Sequence, residues 1–363
     1  MFFNKNYTIG EKNNSTRVLF LVKKSQKAWG YSQSQTSSGL FNSARFVNQM
    51  LCKNGYNSKI VEVIDGNCID REVHNFKPKF VIIEAFWVTP DKFLQLKKLH
   101  PTVKWIVRNH SRTPFLSNEG IAFGWALEYM TMGIKLASNT VDTAIVFEKL
   151  CQSRKLPKSN SIYLPNYYFD NSLSKEPKER ILRKKIIDVG CFGAIRPLKN
   201  HMNQALAAMQ AADELQATLR FHINSSRIEG RGESILKSLQ AVFANHPKHQ
   251  LVEHFWLSHA KFLDLIKDMD IVSQVSYTET FNVVAADALT MSVPVVYSDE
   301  IFWLKGFGSS DPNDIESISE SMINVLTTPN WFYNCKLNKQ RKSLAKYNED
   351  AQEVWLTFLS KNK

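Results

Sequence analysis

At 363 residues the chain is about twice the length of an ordinary domain, so two domains are expected. With 44% apolar and 22% charged residues it can fill a proper core, which excludes a disordered or fibrous protein, and no apolar run approaches the roughly 18 residues of a membrane span. The net charge of +12 is lopsided: residues 1–180 hold 26 Lys and Arg against 14 Asp and Glu, and residues 181–363 hold 20 of each, so the whole excess lies in the first half.

In chain order, residues 17–22 (RVLFLV) read as a buried opening strand, followed by helical spacing over 40–54 that ends at Asn54-Gly55. Further strands are expected at 58–63, 80–85, 104–108, 134–137 and 161–164, with helical segments between most of them. This alternation predicts a doubly wound parallel sheet over 1–170. Residues 171–185 are polar, lack periodicity and read as a linker. The alternation restarts with strands at 186–190, 218–223, 250–253, 271–275 and 293–297 and helices at 201–214, 233–244, 260–267 and 281–290. A second Rossmann-like domain is therefore expected over 186–345. A terminal helix at 346–363 would pack back through Ala351, Val354, Trp355 and Phe358. Two such α/β domains facing across a cleft would bind ligands at the carboxyl ends of their strands.

Two segments of the second half carry candidate chemistry. After the strand at 186–190 comes Gly190-Cys191-Phe192-Gly193-Ala194-Ile195-Arg196-Pro197-Leu198-Lys199-Asn200-His201, which sets backbone N–H donors and two cations before a helix start, a combination suited to a diphosphate. Farther on, Glu279-Thr280-Phe281-Asn282-Val283 turns from strand to helix, and Asp287 follows eight residues after Glu279. Helix N-terminal amides and paired carboxylates can bind sugar and phosphate oxygens. Taken alone, the first segment also fits an ordinary βα loop with solvent-facing Arg and Lys, and the second a pair of helix-cap charges.

Together they resemble the retaining GT-B glycosyltransferases of the glycogen-synthase-like superfamily, often called family 4. Gly193 to Lys199 is similar to the family's G-x5-K diphosphate loop, and Glu279 to Asp287, followed by Ser292-Val293-Pro294-Val295-Val296, to its E-x7-E signature and G-x-P-V-V. Tyr163-Leu164-Pro165-Asn166 resembles the P-N before its interdomain linker. The resemblance implies a GT-B fold and transfer of a sugar from a nucleotide-diphosphate sugar, in the first instance a UDP-sugar, with retention of configuration and no resident cofactor or metal. It implies that Lys199, with Gly193 and Arg196, binds the donor diphosphate, that Glu279 contacts the transferred sugar with Phe281, Asn282 and Val283 around it, and that Asp287 holds the ribose. His110, at the end of the strand at 104–108, resembles the family histidine that faces the donor sugar. Three positions depart from the pattern: Ala194 replaces an arginine, Asp287 a glutamate and Asn282 a glycine. They leave open a non-catalytic carbohydrate- or nucleic-acid-binding protein on a decayed scaffold.

The basic first half points to an anionic partner, with a basic surface kept for solubility as the alternative, and the resemblance implies that this domain holds the acceptor. Lys23, Lys24, Lys27 and Arg112, with Gly39 in the loop before the first helix, are the expected acceptor contacts. Arg45, Lys97, Lys98 and Arg108 add charge, and Trp29, Tyr31, Trp87 and Trp125 are available for stacking. DNA carrying hydroxymethylated bases, as modified by bacteriophage glycosyltransferases, is the leading acceptor, with a glycan or lipid as the alternative. The five cysteines are scattered and imply neither disulfides nor zinc. With no apolar block near the start, the expected setting is a reducing, cytoplasmic one, and the expected state a monomer or homodimer. Asp268-Met269-Asp270 matches a D-x-D metal motif but lies between a helix and a buried strand, where metal binding is not expected.

Overall fold

The computed structural model describes residues 16–24, 39–168 and 184–362. They divide into two compact units, one of residues 16–24, 39–168 and 348–362, the other of residues 184–347.

The first unit contains β1 (Arg17–Lys23), α1 (Gly39–Lys53), β2 (Asn57–Val63), α2 (Cys68–Phe76), β3 (Phe80–Glu84), α3 (Pro90–Leu99), β4 (Lys104–Asn109), α4 (Thr113–Leu116), α5 (Ala122–Thr131), β5 (Lys135–Ser138), α6 (Val141–Ser153) and β6 (Ser161–Tyr163). All six strands are parallel, in the order β2-β1-β3-β4-β5-β6. Strand periodicity divides the core. Leu19 and Leu21 of β1 enter one face with Val81, Ile83, Phe93 and Tyr129, while Val18, Phe20 and Val22 enter the other with Val47, Leu51, Ile82 and Ile106. Because both faces are covered, the strands read as continuous apolar runs.

The second unit contains β7 (Ile186–Cys191), α7 (His201–Glu214), β8 (Thr218–Asn224), α8 (Glu233–Phe243), β9 (Gln250–His254), α9 (His259–Lys267), β10 (Ile271–Gln274), α10 (Val283–Thr290), β11 (Val295–Tyr297), α11 (Ile315–Thr327) and the first part of α12 (Asn330–Lys361). Its parallel sheet runs β11-β10-β7-β8-β9, the Rossmann strand order. Ala205, Ala208 and Ala212 of α7 pack on Val189, Leu219, Phe221 and Ile223.

The expected elements are present with shifted ends. The strand expected from 293 starts at Val295, after a proline that has no N–H to give. The helix expected from 281 starts at Val283, because Asn282 adopts φ 57° and caps it, its side chain accepting from Ala285 N at 2.9 Å. The boundary expected at 345 falls inside one continuous helix, α12, whose residues from 348 onward belong to the first unit. There Trp355 is fully buried, and its indole N–H donates to Pro165 O at 2.8 Å. Within the described residues no helix is long and apolar enough to cross a membrane.

Candidate donor site and a buried ion cluster

In each sheet the strand order reverses at one point, where ligands of open α/β folds bind beyond the carboxyl ends of the strands. In the second unit that point lies between β7 and β10, and the two loops leaving it, 192–200 and 275–282, carry Lys199 and Glu279.

Several bonds hold these loops together. Tyr277 N donates to Leu198 O at 3.0 Å, and the Asn200 amide donates to Val275 O at 3.1 Å. Gln274 Nε2 reaches Phe192 O at 3.1 Å, while its Oε1 accepts from Asn282 Nδ2 at 2.9 Å. Asn282 Nδ2 also lies 3.1 Å from Glu279 Oε2, which pairs with the Lys199 ammonium. The αL conformations of Asn200 and Asn282 set both turns, and Gly193, at φ 119°, has a backbone only glycine adopts without strain. Its N–H donates to Asn224 Oδ1 at 3.0 Å. At the strand end, a Cβ on Gly190 would stand 2.3 Å from the Phe192 ring.

Glu279 and Lys199 are both buried, 8% and 9% exposed. Burial works against the Glu279 carboxylate, but the charges of Lys199 and Arg196 outweigh it and hold its pKa below the ordinary value. The same two cations, added to burial, push His201 at the start of α7 down to about 3, so its imidazole is neutral. The result is two cations and the Glu279 carboxylate gathered at a helix start. Arg196 also approaches Glu229 at 3.8 Å.

Other predicted donor contacts lie differently. The Phe281 ring is buried against Trp303 and Tyr347 at 5.3 and 5.0 Å, and its carbonyl accepts from the Trp303 indole N–H. Val283, the first residue of α10, is partly exposed. Asp287 is 2% exposed and accepts from His259 Nε2 at 2.7 Å. Sequence reasoning missed this partner, which stands 28 residues away on α9. It also missed a polar ladder across three strands, in which Arg220 grips Asp188 with two bonds of 2.6 Å, His222 Nε2 donates to Asp188 at 2.9 Å, and His222 and His254 share a 2.9 Å bond. In the D-x-D segment Asp270 accepts from Lys184 Nζ and Asp188 N, a structural use of the carboxylate, and no cluster suited to a metal occurs among the described residues.

In the first unit His110 follows β4 directly, and its Nε2 meets Glu84 at the end of β3. Glu84 is also paired with Arg108, its register partner on β4, at 3.1 and 3.2 Å. Arg108 gives further bonds to Pro165 O at 3.1 Å and to Asn166 Oδ1 at 2.5 Å, and lies over Trp355 at 5.4 Å. Burial disfavours charge on Glu84, yet Arg108 and His110 lower its pKa; burial and Arg108 lower that of His110, against the pull of Glu84. The cluster is thus a carboxylate and guanidinium with a neutral imidazole at its edge.

This corrects one member of the expected basic surface. Arg108 is fully buried and contributes nothing to an exposed patch. Lys97 donates to Met132 O, Arg112 is bound to Asp142 at 2.8 Å, and Arg45 lies over Phe46 at 5.1 Å. Trp87 and Trp125 pack against the core, and Trp87 donates to Glu84 O. Lys23, Lys24 and Lys98 are exposed, and Gly39 begins α1. Lys27, Trp29 and Tyr31 lie outside the described residues.

Two Rossmann-like sheets with these strand orders define the GT-B fold. Solved structures agree over nearly the whole chain. The E. coli trehalose-6-phosphate structure bound with UDP-2-fluoro glucose aligns at TM-score 0.66 and 8% identity, covering 96% of this chain and 99% of that one. The N-terminal domain of the Candida albicans trehalose-6-phosphate phosphatase aligns at 0.65 and 11%, covering 98% of each. A UDP-forming trehalose-phosphate synthase from Burkholderia xenovorans aligns at 0.62 and 11%, covering 82% of this chain and 77% of its own. At such identities the likeness establishes the fold. No family model and no curated protein matches the sequence.

Proposed function

We propose that the protein is a glycosyltransferase taking a nucleotide-diphosphate sugar, a UDP-sugar in the first instance. The observation that carries this reading is the Lys199–Glu279 pair, joined across the two loops at the switch point of a Rossmann-ordered sheet, in a fold shared with a UDP-forming trehalose-phosphate synthase. Bond breaking at the sugar leaves negative charge on the departing diphosphate. Lys199, Arg196 and the amides at the start of α7 would stabilise that charge, a contribution commonly the largest single one in such sites. Glu279, already ionised and tethered by Asn282, would orient the sugar hydroxyls. Retention rests on the family resemblance, and a retaining transfer here would run by same-face displacement aided by the leaving phosphate rather than through a covalent intermediate, for which no side chain stands out as nucleophile among the described residues. The His259–Asp287 pair would meet the ribose in place of a longer carboxylate.

The acceptor in this reading is anionic. A sugar phosphate is favoured by the trehalose-phosphate neighbours; DNA with hydroxymethylated bases is the second reading, resting on the +12 charge of the first half.

The test is incubation with UDP-, GDP- and ADP-sugars, measuring released nucleotide diphosphate with sugar phosphates or hydroxymethylated duplex as acceptor. Turnover by the native chain and none by Glu279→Ala at unchanged melting temperature supports the proposal; full activity in that variant removes it.

A further inference from the structure

Residues 321–348 contain no Asp or Glu and five basic residues: Lys336, Lys339, Arg341, Lys342 and Lys346. Most of this stretch is the first half of α12, which starts after Pro329. Tyr333, Leu337, Gln340, Leu344 and Tyr347 turn inward at helical spacing and are buried, Gln340 Nε2 donating to Val295 O and Phe307 O. The opposite side presents Trp331, Phe332, Cys335, Lys339, Lys342 and Lys346, all exposed.

That stripe is ordered along its length. Trp331, 78% exposed, and Phe332, 42% exposed, stand together at the helix start with ring centroids 5.2 Å apart. Lys336 Nζ lies 4.8 Å from the Phe332 ring. The lysines then follow at intervals of three and four, so the aromatic pair and the charges share one face over a length of about 22 Å. A Trp–Phe pair left in water has an unmet hydrophobic driving force, and the neighbouring Lys336, Lys339 and Lys342, in a stretch that holds no acid before Glu349, select an anionic partner. Aromatic rings seated at headgroup depth beside lysines that reach the phosphates are the features of an interfacial helix. Duplex DNA would use the lysines but would leave the aromatic pair without a role. The helix α1 lacks such a face, because its apolar residues are consumed by the core.

We infer that the Trp331–Lys346 face of α12 docks the protein on an anionic lipid bilayer, the aromatic pair entering the interface and Lys339 and Lys342 meeting the headgroups. This does not depend on the donor reading, since none of these residues belongs to the Lys199–Glu279 site.

Cys335 offers a direct probe: it is exposed in the middle of the stripe, while Cys52 and Cys68 are half-buried and Cys151 and Cys191 buried. The full chain, labelled at Cys335 with an environment-sensitive fluorophore, is mixed with phosphatidylcholine vesicles with and without phosphatidylserine, and the unlabelled chain is co-sedimented with the same vesicles. The expected result is a blue shift and co-sedimentation with the phosphatidylserine vesicles alone, weakening as salt rises. Trp331→Ala/Phe332→Ala and Lys339→Glu/Lys342→Glu should each reduce partitioning by about tenfold or more. All four side chains are exposed or at the surface, so the variants should keep the native melting temperature. The proposal is overturned by absence of vesicle binding, by binding that either double variant leaves unchanged, by a label shift that depends on protein concentration without vesicles, which would indicate a second copy, or by duplex DNA binding through the lysines with no vesicle binding.

Discussion

Among the described residues two glutamates are buried against cations at the carboxyl ends of the sheets, and the two are built for different tasks. Glu84 is held by Arg108, whose guanidinium fork is also engaged by Pro165 and Asn166 and covered by Trp355. Each of these partners is fixed by strand register or core packing, so the cluster functions as part of the framework. Glu279 is held by Lys199, a single charge on a flexible stem, from a loop whose turns depend on αL asparagines and glycine. A lysine can swing to an incoming phosphate where a guanidinium locked in a fork cannot. One burial pattern thus yields a structural ion pair in the first unit and a candidate chemical pair in the second.

The sharpest way to break this contrast is to remove each cation in turn. Arg108→Ala leaves the fully buried Glu84 without its guanidinium, with only the His110 imidazole beside it, and should lower stability by about 3–5 kcal/mol, read from the urea midpoint. Lys199→Ala should lower transfer and donor hydrolysis together by about 100- to 1000-fold with a much smaller change in that midpoint. Normal turnover in Lys199→Ala, or normal stability in Arg108→Ala, would merge the two classes.

Smaller effects refine the picture. Asn282→Ala removes the α10 cap and places alanine in the αL region, a loss of about 1–2 kcal/mol, whereas Asn282→Gly should lose only part of it. If both cost the same, the cap rather than the backbone conformation dominates. Asp188 is a pH marker away from either pair. Burial raises its pKa, but the bonds from His222 and Arg220 and their charges bring it down to about 2. A carboxyl lowered in the folded state stabilises above its unfolded pKa of about 3.9 and loses that contribution as pH falls toward 2. Screening on the exposed Arg220 side limits this to about 1–2 kcal/mol. Asp188→Asn should therefore flatten the stability curve between pH 4 and 2, and an unchanged acid limb would exclude the ladder as its source.

The sheets were legible because both faces are covered, so each strand is an apolar run bounded by turn residues. Lys199 and Glu279 were legible because their spacings within two βα loops are local. Arg108 was misread as surface charge: in the run Trp105-Ile106-Val107-Arg108 nothing local distinguishes a buried guanidinium from an exposed one. Its partner Glu84 ends an equally apolar strand, and only the β3–β4 register brings the two together. The His259–Asp287 pair and the Asp188–His222–His254 ladder were invisible for the same reason, since their members come from different elements about 30 residues apart.

The central claim, that the nucleotide diphosphate is held by the second unit's Lys199 loop and not by the first unit's ion cluster, is tested most directly by calorimetric titration of UDP into the native chain, Lys199→Ala and His110→Ala. The account predicts binding weakened by about tenfold or more in Lys199→Ala and unchanged in His110→Ala. Equal affinity in the native chain and Lys199→Ala, with loss in His110→Ala, would contradict it.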